Sequence, residues 1–311
     1  MKCKTSIMTL AVCSLFGTSL ANANERITIG TGGTGGLFYV IGAGIAETLN
    51  NNMEGATARA EVTGASVENN RRVSAGQMTI GLSSSSTLYE ALHGEGPFEE
   101  MPQNVEALAY LYPAVLQIAT TDDTGINNIA DLEGKRISLG PPGSNAAVLA
   151  RRVLEAYGVF DGNNVQYLSY TEGVGSLLNE QIEAAVVLAG APTAALIDLD
   201  AQRDMRLLSV EEEHLTEMLE AYPYYQLYDI PAGTYSDQTE DVTAINDPAI
   251  LFTSSDASDE NIYNITKAIF SNLDELSEVH PQAKVISLEN AANTPIDLHP
   301  GAERFFNEAG E

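Results

Sequence analysis

Hydrophobic and polar positions follow two alternating periods along most of the chain. Short apolar, often β-branched runs have the length of strands, and they predict strands at Arg26–Gly30, Thr57–Thr63, Met78–Leu82, Arg136–Gly140, Val165–Tyr170, Ala184–Ala189 and Met205–Val210. Between them, apolar residues recur at helical spacing. Leu37, Val40, Ile41, Ile45 and Leu49 mark one such helix over Leu37–Leu49. The same reading predicts helices over Val67–Ala75, Thr87–Leu92, Asn145–Tyr157, Gly173–Glu180 and Thr193–Asp200, with Gly158 as a C-terminal cap. Strand and helix in alternation predict α/β layering.

The pattern then changes in three places. Ala107–Thr120 is apolar and broken by Pro113, so it is expected to carry the chain from one lobe to another. Ala221–Tyr235 is rich in Tyr and Pro. Its Tyr224, Tyr225, Tyr228 and Tyr235 are candidates to wall a cleft or pack a hinge. Ala249–Thr253 is strand-like and is expected to cross back. Asp259–Val279 reads as one long amphipathic helix, and a final helix opens at His299-Pro300. The predicted division is a leader over 1–23, a first lobe over 24–114 completed by 248–311, and a second lobe over 115–247.

The leader has a basic start at Lys2 and Lys4, an apolar core over Ile7–Phe16 and an Ala21-Asn22-Ala23 cleavage site. Cleavage after Ala23 and export to the periplasm are expected. Both cysteines, Cys3 and Cys13, lie in this segment. The mature chain therefore has no disulfide or thiolate metal site to rely on. Removing the leader leaves 13 basic against 43 acidic residues, a net charge of −30. Such a surface repels nucleic acid and anionic membranes.

Candidate chemistry sits where predicted strands end. Gly30-Thr31-Gly32-Gly33-Thr34-Gly35 satisfies G-x-G-x-x-G between a strand and a helix, as a dinucleotide fingerprint would. The acidic ribose partner is missing at the end of the second strand, since Glu61 lies inside it and Val62-Thr63-Gly64 closes it. Comparable joints recur at Gly64-Ala65-Ser66, Ser83–Ser86, Gly140–Asn145 and Gly190–Thr193. Each would present unpaired backbone N–H groups and a partial positive charge at a helix start. Gly lets an anion approach the backbone, and Ser and Thr add hydroxyls. Five converging joints could hold a carboxylate although they contain no Lys or Arg. No nucleophile elbow, Walker loop, H-E-x-x-H or EF-hand loop occurs. His93, His214, His280 and His299 are scattered. No cofactor, metal or catalytic residue is expected.

These residues together resemble the TAXI-family solute receptors of tripartite ATP-independent periplasmic (TRAP) transporters. The resemblance runs along nearly all of the mature chain, through IGTGGTGGLFYVIGAGIAETL, TGASVENNRRVSAGQ, DLEGKRISLGPPGSNAAVLARRVLEAYG, NEQIEAAVVLAGAPTAAL, YPYYQLYDIPAGTY and LHPGAERFFNEAG. It implies a two-lobed periplasmic-binding fold of type II, hinged by two crossovers. It also implies a monomeric receptor that delivers a small organic or amino acid to permease subunits. Carried over by motif, Thr31, Gly32, Gly36, Tyr39, Ser66, Val67 and Ser84 would line one wall. Ser144, Asn145, Gly190, Pro192 and Thr193 would line the other. Many members carry Gln-Ser-Asp at the third joint, where this chain has Ser83 to Ser86. A serine cannot neutralise a ligand ammonium, so the sequence favours a dicarboxylate or 2-oxoacid over a glutamate-like amino acid. A sensor subunit of a membrane kinase, or an exported enzyme, are the other readings the sequence leaves open.

Overall fold

The computed structural model describes residues 25–33 and 36–310. The leader with its cleavage site, and Thr34 and Gly35 of the glycine-rich motif, lie outside the described residues. Two sheets organise the chain. The first has the strand order β2 (Ala56–Glu61), β1 (Glu25–Gly30), β3 (Ile80–Ser84), β12 (Ala249–Ser254) and β4 (Val105–Tyr112). β1 is parallel to β2 and β3, and β12 runs antiparallel between β3 and β4. The second sheet has the order β10 (Gln226–Ile230), β11 (Val242–Asn246), β5 (Val115–Thr121), β8 (Ala184–Ala189), β6 (Arg136–Ser138) and β7 (Asn164–Gln166). The short β9 (Met205–Leu207) pairs with the far end of β5.

Helices cover both faces of each sheet, because the central strands are buried on both sides. β3, IGLSS, has no exposed position. Helix α1 (Leu37–Asn52) puts Ile41, Ile45 and Leu49 on one face of the first sheet beside α8 (Asp259–Phe270) and α10 (Pro300–Ala309). Helices α2 (Ser66–Ser74) and α3 (Ser85–His93) cover the other face around Val73, Leu88 and Phe252. On the second sheet, α4 (Asn145–Ala156) and α7 (Glu212–Ala221) pack one face, and α5 (Tyr170–Leu178) and α6 (Ala194–Asp200) the other. Among the described residues, no helix is long and apolar enough to cross a membrane.

The chain passes between the sheets twice, at Pro113-Ala114 and at Asp247-Pro248. The crossovers are bonded together: the Asp247 amide donates to the Ala114 carbonyl at 2.9 Å, and the Ala114 amide to Asn246 Oδ1 at 3.0 Å.

Several predicted elements are redrawn. The expected long helix over Asp259–Val279 is interrupted, with α8 ending at Phe270 and α9 spanning Leu273–Ser277. Asn272 Nδ2 donates to the Ala268 carbonyl at 2.8 Å, taking the acceptor that a continuing helix would use. The expected strand Val165–Tyr170 stops at Gln166, since Ser169 caps α5 through a reciprocal bond with Glu172. Helix α7 and strands β10 and β11 lie between Val210 and Ala249, where no element was expected.

Candidate functional site

A cleft of about 620 Å³ opens between the two sheets, and all five strand-to-helix joints contribute to its walls. On the first-sheet side lie Gly32, Gly36, Gly64, Ser66 and Ser84. Facing them are Gly143, Ser144, Asn145, Gly190 and Thr193. Tyr112, Ala114 and Asp247, beside or within the crossovers, also line the cleft, with Gln282 from the returning segment. No Lys or Arg is among the described lining residues, and Asp247 is the one carboxylate among them.

Ten of the twelve residues expected at the site line this cleft: Gly32, Gly36, Ser66, Val67, Ser84, Ser144, Asn145, Gly190, Pro192 and Thr193. Thr31 and Tyr39 do not. Thr31 is completely buried, and its hydroxyl donates to the Glu61 carbonyl at 2.7 Å, so it straps β1 to β2. Tyr39 lies in the first turn of α1, where Leu37, Phe38 and Val40 face the cleft instead. Glu61, the nearest acid to a ribose position, is bonded to Arg59 and Arg72, at 2.8 Å each.

The first-sheet wall is braced by α2. Buried Asn69 donates through Nδ2 to the carbonyls of Thr31, at 2.7 Å, and Leu82, at 2.8 Å. Its Oδ1 accepts from the Thr63 hydroxyl at 2.7 Å. One side chain thus joins three joints. Gly30 leaves room for it, since a Cβ there would stand 2.6 Å from Asn69 Oδ1. Ala65, at the N-cap of α2, has φ 64° and ψ −146°, a conformation that favours glycine.

The second-sheet wall is anchored piece by piece. Ser144 Oγ caps α4 by accepting from the Ala147 amide at 3.2 Å. That bond leaves the Asn145 and Ala146 amides without intrahelical partners at the cleft. Tyr170 OH donates to the Leu188 carbonyl at 3.1 Å, and burial pushes this phenol up to about 12. Tyr235 OH accepts from the Thr193 amide at 3.0 Å and donates to Gln117 Oε1 at 2.5 Å.

Three sets of bonds cross between the walls. Asn145 Nδ2 reaches the third joint, donating to Ser84 Oγ and to Thr87 Oγ1, the latter at 2.6 Å. Gln282 Nε2 donates to the Ala191 carbonyl at 2.8 Å. Farther out, Arg152 of α4 pairs with Glu90 of α3 at 3.1 Å, and Tyr224 OH donates to the same Glu90 oxygen. Arg152 also donates to Tyr225 OH at 2.7 Å and lies over the Tyr222 ring. Tyr224 and Tyr225 therefore pack between the lobes rather than line the cleft.

Asp247 is the electrostatic centre of the site. Its Oδ1 accepts from the Ser86 amide at 2.8 Å and its Oδ2 from the Ser86 hydroxyl at 2.6 Å. Complete burial pushes its carboxyl up to about 6, against the opposing pull of the Ser86 hydrogen bonds. Both of its oxygens act as acceptors toward Ser86, the bonding pattern of a carboxylate. Tyr112 is 2% exposed, its hydroxyl has no hydrogen-bond partner, and burial raises its phenol far above the usual range. It is therefore a protonated group able to donate at any physiological pH. Asp247, Tyr112, Gln282 and Asn69 were not among the expected site residues. The first two adjoin crossovers read only as connections, and the other two sit inside or beside helical segments that carry no glycine signal. Among the described residues no cluster of three His, Cys, Asp or Glu could hold a metal ion.

A family model for the NMT1-like family matches residues 29–310, and the chain belongs to that family. Among solved structures, the periplasmic aliphatic sulphonate binding protein of Escherichia coli is similar, with a TM-score of 0.54 and 14% identity over 91% of this chain and 78% of that one. A Xanthomonas citri protein solved with ATP bound has a TM-score of 0.54 and 9% identity, over 91% and 95% of the two chains. A periplasmic sulfonate-binding protein from Methylobacillus flagellatus has a TM-score of 0.52 and 12% identity, over 86% and 73%. These likenesses establish the α/β fold of periplasmic binding proteins.

Proposed function

We propose that this member of the NMT1-like family is a periplasmic solute-binding receptor that closes its two lobes around one small organic anion. The observation that carries this reading is the cleft itself, walled by five strand-to-helix joints and spanned by two bonded crossovers. Unpaired amides at helix starts favour a carboxylate. A ligand bonded to both walls stabilises the closed arrangement over an open one, which is how binding becomes a change of shape. The cleft offers amides, hydroxyls, one buried carboxylate and the His280 imidazole, whose Nδ1 is taken up by the Gln282 backbone amide at 3.1 Å, a set suited to capture rather than turnover. The motif resemblance supports a TAXI-type receptor serving the permease subunits of a TRAP transporter. The sulfonate binders that share the fold take anions too.

The sequence favours a dicarboxylate or 2-oxoacid ligand, but Asp247 favours a second reading. An ionised carboxylate among lining residues without Lys or Arg repels a dianion and attracts a cationic group. We therefore infer a ligand with a carboxylate at one end and an ammonium near Asp247, such as a glutamate-like amino acid. Isothermal titration with L-glutamate, succinate, 2-oxoglutarate and an alkanesulfonate tests this. Glutamate is expected to bind at least tenfold more tightly than succinate, and the reverse order would restore the dicarboxylate reading. Receptor-dependent uptake that survives ATP depletion would support the TRAP assignment, and uptake that stops with ATP would overturn it.

A further inference from the structure

Gln282 belongs to the returning segment, in a 3-10 turn over Pro281–Val285, yet it lies against the opposite lobe. It is 8% exposed and lines the cleft. Its Nε2 donates to the Ala191 carbonyl at 2.8 Å. A carbonyl only accepts, so this bond fixes the amide orientation and leaves Oε1 as the other end. That oxygen is buried and has no hydrogen-bond partner. Gly190 makes the approach possible, because a Cβ there would stand 2.5 Å from Gln282 Cδ and 2.7 Å from Oε1.

Building on the receptor reading, we propose that Gln282 is a specificity-determining residue that links ligand identity to closure. Its Nε2 holds the far lobe while Oε1 accepts from an N–H or O–H group on the ligand. A ligand with such a donor completes the amide's bonding on both sides. A ligand without one leaves a buried acceptor unsatisfied, and closes the cleft less well.

L-glutamate and 2-oxoglutarate share a carbon skeleton and differ in the ammonium, so they are the probes. The experiment measures their affinities by isothermal titration for the wild type, Gln282→Leu and Gly190→Ala. Melting temperature checks folding, and small-angle scattering with saturating ligand reads closure. Gln282→Leu is expected to weaken glutamate at least tenfold and 2-oxoglutarate less than threefold. Gly190→Ala, which displaces Gln282 but leaves its amide in the chain, is expected to reproduce this selective loss and to reduce closure by glutamate. Equal losses for both ligands, or no loss for either, in the variant that folds would overturn the inference and leave the receptor reading standing. Binding of neither ligand by the wild type would overturn this inference, and failure to bind succinate as well would overturn the carboxylate-receptor reading with it.

Discussion

The two walls of the cleft use the same kind of strand-to-helix joint but hold it differently. On the first-sheet wall the joints are fastened to one another: Asn69 bonds the backbone beyond β1 and at β3, and the threonine that follows β2. On the second-sheet wall each joint has its own support, the Ser144 cap at one and the Tyr235 hydroxyl at the other, besides the bonds that Asn145 and Ala191 make across the cleft. One wall is a single braced unit, and the other is a set of separately supported amides. The difference shows that a hydroxyl at a joint can serve the cleft surface, as Ser66, Ser84, Ser144 and Thr193 do, or the bracing behind it. Thr31 and Thr63 are used in bracing, while the cleft surface is shared by joint residues, Asp247, Tyr112 and Gln282.

The sharpest way to break this comparison is Asn69→Ala. It removes three hydrogen bonds at once, two of them buried, and an expected loss of about 3 kcal/mol follows at roughly 1 kcal/mol each. For a chain of this size that lowers the melting temperature by roughly 6–12 °C. A change within 2 °C would show that the joints do not depend on one another.

Asp247→Asn probes the floor where the walls meet. An unfolded aspartate titrates near 3.9, whereas folded Asp247 titrates at about 6. Between those values the folded state holds the extra proton, so the group's contribution favours folding at low pH and is lost as pH rises through 6. Relative to the variant, the wild type is expected to lose on the order of 2 kcal/mol of stability between pH 4 and pH 7.5. Urea unfolding of both proteins across that range measures it. A difference that stays constant with pH would mean Asp247 is not desolvated as the structure has it.

Tyr235→Phe tests the separately held wall. It removes the support of Thr193 and Gln117 alone, with an expected loss of about 1–2 kcal/mol in chemical denaturation. A loss as large as that of Asn69→Ala would erase the contrast between the walls. Ser144→Ala is expected to have the smallest effect, about 1 kcal/mol from the lost cap. Stability unchanged to within a few tenths would show that α4 does not need it.

Much of this arrangement was legible in the sequence. The strand-to-helix joints stood out because glycine and small hydroxyl residues interrupt strong apolar runs, and ten of the twelve expected residues came together at the cleft. What escaped notice had weaker local signals. The helical period of Asp259–Val279 continues through Asn272, whose side chain ends α8. Asp247 follows a strand the pattern did not predict, and its proximity to Ser86 depends on pairing across 161 residues. The serine run at the third joint therefore looked uncharged, when the fold brings a carboxylate to it from the hinge.

The most direct test of the central claim is mass spectrometry of the small molecules released when the purified protein, saturated from an extract of its native cells, is denatured. Close to one equivalent per chain of a single small molecule carrying both a carboxylate and a protonated nitrogen is expected. Release of a nitrogen-free dicarboxylate, a sulfonate or a nucleotide as the stoichiometric species would contradict it.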